Sequence, residues 1–425
     1  MSRLVALVVL LFGCDPPPPL SVDGTVNLGP AALFDAGALL DGVEVYADAR
    51  TPRPDLALRY SDAACPVGNA VGTICSPNDD PIPGALVIAH TRSCTGAPME
   101  VRATTDRNGF FRIEGLAPGP TEISVSSGSF VGEFAVEVVE DRDAVVAEQG
   151  SPKACLPTNA ARLAVLTGNY DDIGAIIGEL GFEFDVFCGT YEAHLSGRQL
   201  LHDAERLAQY DVVFINCATG IDLRVDLPEM TQIRRNLQNF VNAGGSLYVS
   251  DLAAGIIDTL WPDRIIFSAT APFPRPIACC DCVDCPPECL QSPPSSPSVR
   301  CPTANPLLAQ CREPSGLTGQ GRVGEKTGLL RSAVLREAVG RETLPITFEL
   351  DKWMEIESVS PGVEVLVASE ETRIEGMEEV TFLQPLMVRF RPNTNAGQVA
   401  YTSFHNHAQA TGPMRAILRA LVFSL

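Results

Sequence analysis

The residue types able to do chemistry in this chain gather behind apolar runs that read as strands. Asp251, His405 and His407 form the set best suited to an ion, because one aspartate and two imidazoles satisfy zinc or a similar divalent metal. Cys217 and His405 form a second set, in which an imidazole would take the thiol proton and leave a nucleophilic thiolate. Asn169, Asp171, Asp172, Asn216 and Ser250 accompany them. Open α/β sheets place ligands outside the carboxyl ends of their strands, which is where these residues fall. A third reading gives them no chemistry: they are polar groups starting loops, and Cys217 is a core thiol or a half-cystine. His405 and His407 stand two apart in Phe404-His405-Asn406-His407, so a strand would put them on one face but a turn need not. His90 is a lone histidine at a strand end and reads as structural. Asp106-Arg107-Asn108-Gly109 is too short for a calcium loop and reads as a turn, and the acidic run Glu370 to Glu379 reads as a solvated loop.

The cysteines point to an oxidising compartment. There are 14, and seven crowd into one Pro- and Ser-rich segment: Cys279, Cys280, Cys282, Cys285, Cys289, Cys301 and Cys311. Cys282-x-x-Cys285 would suggest zinc or a redox pair in a cytosolic chain. Here the flanks cannot build a core, and stapling a coreless loop is work that disulfides do well. Cys65, Cys75, Cys94, Cys155 and Cys188 are the remaining disulfide candidates besides Cys217. The N-terminus agrees. Arg3 precedes an unbroken apolar run, Leu4 to Phe12, too short to span a bilayer but right for a secretory signal. Leu11-Phe12-Gly13-Cys14 resembles the lipobox of bacterial lipoproteins, with Phe12 where a smaller residue is usual. That resemblance implies a signal peptide over 1–13, lipidation of Cys14, and a membrane anchor through the acyl chains. Residues 14–20, with four consecutive prolines, form a semi-rigid tether.

The charge balance excludes one class of partner. With 31 Lys and Arg against 52 Asp and Glu, the 425-residue chain carries a net charge of −21. A nucleic-acid backbone is bound by neutralising it, so nucleic acid is excluded, as is electrostatic docking on anionic lipid.

Two architectures must position these residues. Over 21–150 short strands with Gly and Pro punctuation indicate a β-sandwich. Strands are read at 22–26, at Leu86 to His90, at Val101 to Thr104, at Phe110 to Ile113, at Glu122 to Val125 and over 133–139, while 27–80 lacks clear periodicity. Val22-Asp23-Gly24-Thr25-Val26, Pro81 to Val87, Thr104 to Phe110 and Leu116 to Gly119 together resemble the carboxypeptidase regulatory-like, or transthyretin-like, domain. The gap between the first two motifs is some fifty residues longer than the family's, so a long insertion is expected. Such domains are usually non-catalytic.

Over 160–425 strands alternate with helices. Apolar runs at Leu163 to Thr167, Phe184 to Phe187, Asp211 to Asn216 and Leu247 to Val249 read as buried parallel strands. Ile173, Ile176, Ile177 and Leu180 make one helical face, Leu200, Ala204 and Leu207 a second, and Met230, Ile233, Leu237, Phe240 and Val241 a third. Strands at Val363 to Val367, Pro385 to Phe390 and Gln398 to Phe404 and a helix over Pro413 to Phe423 continue the rhythm. The fold class expected is a β-sandwich followed by a flavodoxin-like α/β parallel sheet, with a disulfide-rich insertion over 270–325. Tyr210 to Phe214, Ala243-Gly244-Gly245-Ser246-Leu247 and Gly397 to His405 resemble the class I glutamine amidotransferase-like fold, in its trehalose-utilisation-type branch. That resemblance places a nucleophile elbow at Ser250 or Asp251, with Asp251 the better alignment and the family's cysteine absent from both, and matches His405 to the family's late histidine. His407 replaces the usual acidic partner. Thiolate attack at the elbow is therefore excluded. The expected function is non-catalytic, a binding or scaffold role in the cell envelope with glycan, peptidoglycan or protein as ligand. The alternative is a hydrolase or metal-dependent enzyme built on Asp251 and His405. No cofactor is expected, a divalent metal under the alternative excepted.

Overall fold

Alternating burial along short strands builds the first layer pair in the computed structural model. The structure describes residues 65–148, 151–168, 170–189, 196–217, 221, 223–224, 227–268, 319–349, 351–375, 378–404 and 412–425. The chain divides into two compact units, Met1–Cys65 and Pro66–Leu425, and the architecture below is that of the second. The segments read as a signal peptide and a tether, the expected lipidation residue Cys14, the strand read at 22–26 and the seven clustered cysteines lie outside the described residues.

β1 (Gly68–Cys75), β4 (Phe110–Leu116) and β7 (Asp143–Val146) form one sheet in the order β4-β1-β7, with β8 (Ala154–Cys155) also paired to β1. β2 (Leu86–Arg92), β3 (Pro98–Thr104), β5 (Gly119–Ser127) and β6 (Phe130–Val138) form the other, in the order β3-β2-β5-β6. Ala70, Ile74, Val87, Ala89, Phe111, Ile113, Ile123 and Val125 fill the space between them. The turn read at 106–109 is one: Asp106 Oδ1 accepts from the amides of Asn108 and Phe110 at 2.8 and 2.9 Å, and Gly109 takes φ +74°. The stretch 27–80, read as aperiodic, contains β1. Its inward positions include Gly68, Ala70 and Gly72, which give little hydrophobic signal. They are small for a reason: a Cβ on Gly72 would lie 2.9 Å from the Phe111 ring and from the Val146 carbonyl.

The α/β part begins with β9 (Leu163–Leu166), α1 (Ile173–Leu180), β10 (Asp185–Phe187), α2 (Ser196–His202), α3 (Ala204–Leu207), β11 (Val212–Ile215), α4 (Pro228–Asn242) and β12 (Ser246–Ser250). A single 3₁₀ turn, Asp251–Ala253, leads into α5 (Ala254–Leu260) and β13 (Ile265–Ser268). Then come β14 (Gly324–Leu330), α6 (Ala333–Val339), β15 (Thr343–Phe348), β16 (Glu355–Val359), β17 (Glu364–Glu375), β18 (Glu378–Phe390), β19 (Val399–Thr402) and α7 (Gly412–Val422). Among the described residues nine strands make one sheet, ordered β10-β9-β11-β12-β19-β18-β17-β14-β15, and β13 pairs with β16. The first five run parallel. Fully buried apolar residues in β9, β11 and β19 reflect helices on both faces. Helix ends follow local chemistry. Asp172 caps α1, Gly181 closes it at φ +87°, and Pro228 opens α4.

Three expectations are corrected. The sheet is mixed, not parallel throughout: β18, β17, β14 and β15 are antiparallel to their neighbours. β17 and β18 are separated by two residues, and only an antiparallel pair can be joined so tightly. Of the acidic run Glu370 to Glu379, the residues Glu370 to Glu375 and Glu378 to Glu379 are accordingly paired strand of this hairpin rather than loop. Finally, the helix read across Leu200, Ala204 and Leu207 breaks at Asp203, whose carboxylate accepts from the amides of Glu205 and Arg206 and starts α3.

The two layers share a core. Phe130 of the sandwich packs against Phe182 and Phe423, with ring centroids 4.6 and 5.4 Å away. Ser127 Oγ donates to the Phe423 carbonyl at 3.0 Å, and the Ser129 amide donates to the Leu425 carbonyl. Arg419 reaches Glu179 at 3.0 Å and Asp80 at 3.3 Å. Cys75 and Cys155 form a disulfide between β1 and β8.

Candidate functional site

The parallel register decides which polar residues meet. Ile215 lies opposite Leu166 and Val249, and Ser250 lies opposite Thr402, so β9, β11, β12 and β19 end at one edge. Asp171, Asn216, Cys217, Ser250 and Asp251 all follow there, and all are buried.

Asp251 is the pivot. It has φ +40°, a left-handed angle that side chains other than glycine rarely adopt, at the turn from strand into helix. Its carboxylate faces inward. Oδ1 accepts from the Met354 amide at 2.7 Å, and Oδ2 lies 3.5 Å from the Cys217 thiol, which donates to it. Its backbone carbonyl accepts from the Tyr401 hydroxyl at 3.0 Å. Beside it the Ser250 hydroxyl donates to Asp171 Oδ2, and the Asp172 amide donates to Asp171 Oδ1 at 2.9 Å. Asn216 Oδ1 accepts from the Ile173 amide at 3.3 Å and so helps to start α1. Tyr248 and Thr402 share a hydroxyl hydrogen bond of 3.0 Å.

The electrostatics follow from burial. Burial, and then the charge of Asp251, push the Cys217 thiol far above its ordinary range. Burial likewise raises Tyr248 and Tyr401 well above the phenol range, reinforced by Asp171 and Asp251 respectively. Cys217 is therefore a protonated donor at neutral pH, and it is a free thiol rather than a half-cystine. The cluster can hold a carboxylate and orient a strand-to-helix turn. A thiolate is disfavoured in it.

Of the residues singled out from sequence, the structure brings Asp251 and Cys217 together. His405, His407 and Asn169 lie outside the described residues. Cys75 and Cys155 are joined to each other, and Cys65, Cys94 and Cys188 are also disulfide-bonded. Among the described residues the one metal-like grouping is Cys75, Asp79 and Cys155, and two of its three ligand atoms are the sulfurs of that disulfide. His90 is paired on its strand, 2.8 Å from Ser124 Oγ and 3.7 Å from Glu100. Met354 is the partner that sequence reasoning missed. It contributes a backbone amide 103 residues away, and an amide leaves no mark in residue type.

Comparison with known proteins defines one domain. Residues 70–147 match the carboxypeptidase regulatory-like domain, so the sandwich is of that class. No curated protein matches the chain. Among solved structures, a protein described as ThuA-like from Bacteroides uniformis is similar at 10% identity, with 63% of this chain and 91% of that one covered and a TM-score of 0.36. A protein from Thermoplasma acidophilum described as a GMP synthase subunit is similar at 9% identity, with 62% and 92% covered and a TM-score of 0.34.

Proposed function

We propose that this chain is a lipid-anchored protein of the bacterial cell envelope whose folded part binds a partner rather than transforming a substrate. One observation carries the reading. The elbow position holds Asp251, buried and bonded to the chain's own Met354 amide and Cys217 thiol. A catalytic group must reach the atom it acts on, within about 3 Å, and this carboxylate is directed into the protein. The regulatory-like sandwich fits a binding or scaffold role. The sequence of Leu4 to Cys14 supports the anchor, and no helix among the described residues is long and apolar enough to cross a membrane by itself. The partner is an envelope glycan, peptidoglycan or another envelope protein.

The test combines fractionation, metal analysis and co-sedimentation with purified envelope. Cys14→Ser should release the protein from the membrane fraction. Asp251→Asn should leave partner binding unchanged and alter no metal content. A stoichiometric metal ion or a hydrolysis product that disappears in Asp251→Asn would establish the enzyme reading instead.

A further inference from the structure

The opposite edge of the large sheet carries a second feature. Phe390 pairs with Val399, and Val399 with Leu247, so the end of β18 lies where the parallel strands begin, away from Asp251. A cavity of about 430 Å³ opens there, lined by Arg264, Arg389, Arg391, Glu364, Asn393 and Gln398 among others. In a chain of net charge −21, the described residues that line this cavity bring three guanidiniums together with one carboxylate.

The three arginines are not equivalent. Arg389 is ion-paired: its Nε and Nη2 donate to Glu364 Oε2 at 3.2 and 2.7 Å. Arg264 donates from Nη2 to the Pro392 carbonyl at 3.0 Å and lies over the Phe390 ring, 6.0 Å from its centroid. Arg391 donates from Nη1 to the Ala396 carbonyl, and its Nε and Nη2 each lie 3.1 Å from the Gln398 amide oxygen in the orientation that satisfies both groups. Carbonyl and amide oxygens fix these two guanidiniums without cancelling their charge, and neither has a carboxylate partner among the described residues. A guanidinium held by neutral acceptors is pre-organised for an anion, since little rotamer entropy is left to lose. The Nε–Nη2 fork of Arg391 is taken by Gln398, so Arg391 meets an anion through its remaining Nη1 and Nη2 hydrogens, and Arg264 through the N–H groups that do not reach Pro392.

We propose that this cavity binds an oxyanion, a carboxylate or a phosphate group, held by Arg264 and Arg391 with Arg389 as a pinned third cation. The volume suits a sugar-sized ligand, and the site stands independently of the envelope reading. The chain's overall negative charge selects against long polyanions and leaves small or singly charged ligands.

Calorimetric titration of the full chain with D-galacturonate, inorganic phosphate and uncharged D-galactose tests this. Saturable one-to-one binding of galacturonate alone identifies a uronate carboxylate as the source, phosphate alone identifies a phosphate, and binding of both identifies the shared oxyanion chemistry. Galactose should not bind. Arg264→Gln with Arg391→Gln should weaken binding at least tenfold while circular dichroism stays native. If that double variant fails to fold, Glu364→Gln carries the test, because removing the cavity's one carboxylate should tighten binding severalfold. Failure of both anions to bind, undiminished binding in the folded double variant, or unchanged affinity in Glu364→Gln would overturn the proposal.

Discussion

Asp251 holds a backbone angle that glycine adopts freely and aspartate does not, and three hydrogen bonds from distant residues keep it there. Truncating it strands the buried Met354 amide. Asp251→Ala should therefore cost about 2 kcal/mol in denaturant unfolding. Asp251→Asn should cost clearly less, because asparagine keeps an acceptor for the Met354 amide and visits the left-handed region as aspartate does. Equal losses would mean that the amide contact contributes nothing. Cys217 gives a second prediction with a defined sign. Its folded-state pKa is raised from an ordinary value of 9.0, so the unfolded chain ionises first. Its contribution is intact below that value and declines as pH climbs above it, by up to about 1.4 kcal/mol per pH unit. In the folded protein at pH 8, iodoacetamide should leave Cys217 unlabelled by peptide mass spectrometry, and guanidinium should expose it. Fast labelling of the native thiol would contradict the burial argument. The place of Asp251 was legible from its distance to Gly244-Gly245. Its partners were not, because a backbone amide and a tyrosine hydroxyl more than a hundred residues on leave no local pattern.

The elements show the same division between local and distant causes. Strands of branched and aromatic residues, such as β11 and β12, could be read directly, and so could α1 and α4 with their caps. β1 could not, since its inward side chains are small so that Phe111 can approach. The antiparallel half of the sheet was missed because β17 and β18 look like further α/β strands until the two-residue connection between them is noticed. The break between α2 and α3 is a purely local matter. Asp203 offers its carboxylate to two amides that a continuous helix would have bonded to carbonyls. Asp203→Ala should lower stability by about 1 kcal/mol, the usual loss for a cap. A rise in helical circular dichroism in that variant would show that α2 and α3 had merged, whereas an unchanged signal would mean the break is imposed by packing.

Seen whole, the sandwich and the α/β layers are one hydrophobic body. Phe130, Phe182 and Phe423 meet at their junction, and the turn between β5 and β6 closes over Leu425. Gly128 makes that closure possible, with φ +57° and a Cβ position only 2.3 Å from the Leu425 carbonyl oxygen. Gly128→Ala should cost about 2 kcal/mol through backbone strain and displaced contact. The native protein should melt in a single calorimetric transition, and two well-separated transitions would show that the shared core does not couple the layers.

The Cys75–Cys155 bond also has a mechanical meaning. A pull applied at Pro66 on one side and within the α/β layers on the other enters at β1 and leaves beyond β8. The covalent bridge short-circuits a chain span of 80 residue steps, from Cys75 to Cys155. At roughly 3.5 Å per extended residue, about 280 Å of slack is withheld while the bond is intact. β1 runs parallel to β7 and β8, so load along these strands shears their hydrogen bonds together instead of unzipping them one by one. In single-molecule extension of a variant in which every cysteine but Cys75 and Cys155 is replaced by serine, reduction should lengthen the released contour by about that amount. For a molecule tethered at one end and gripped at the other, the sandwich then behaves as a rigid link rather than a spring.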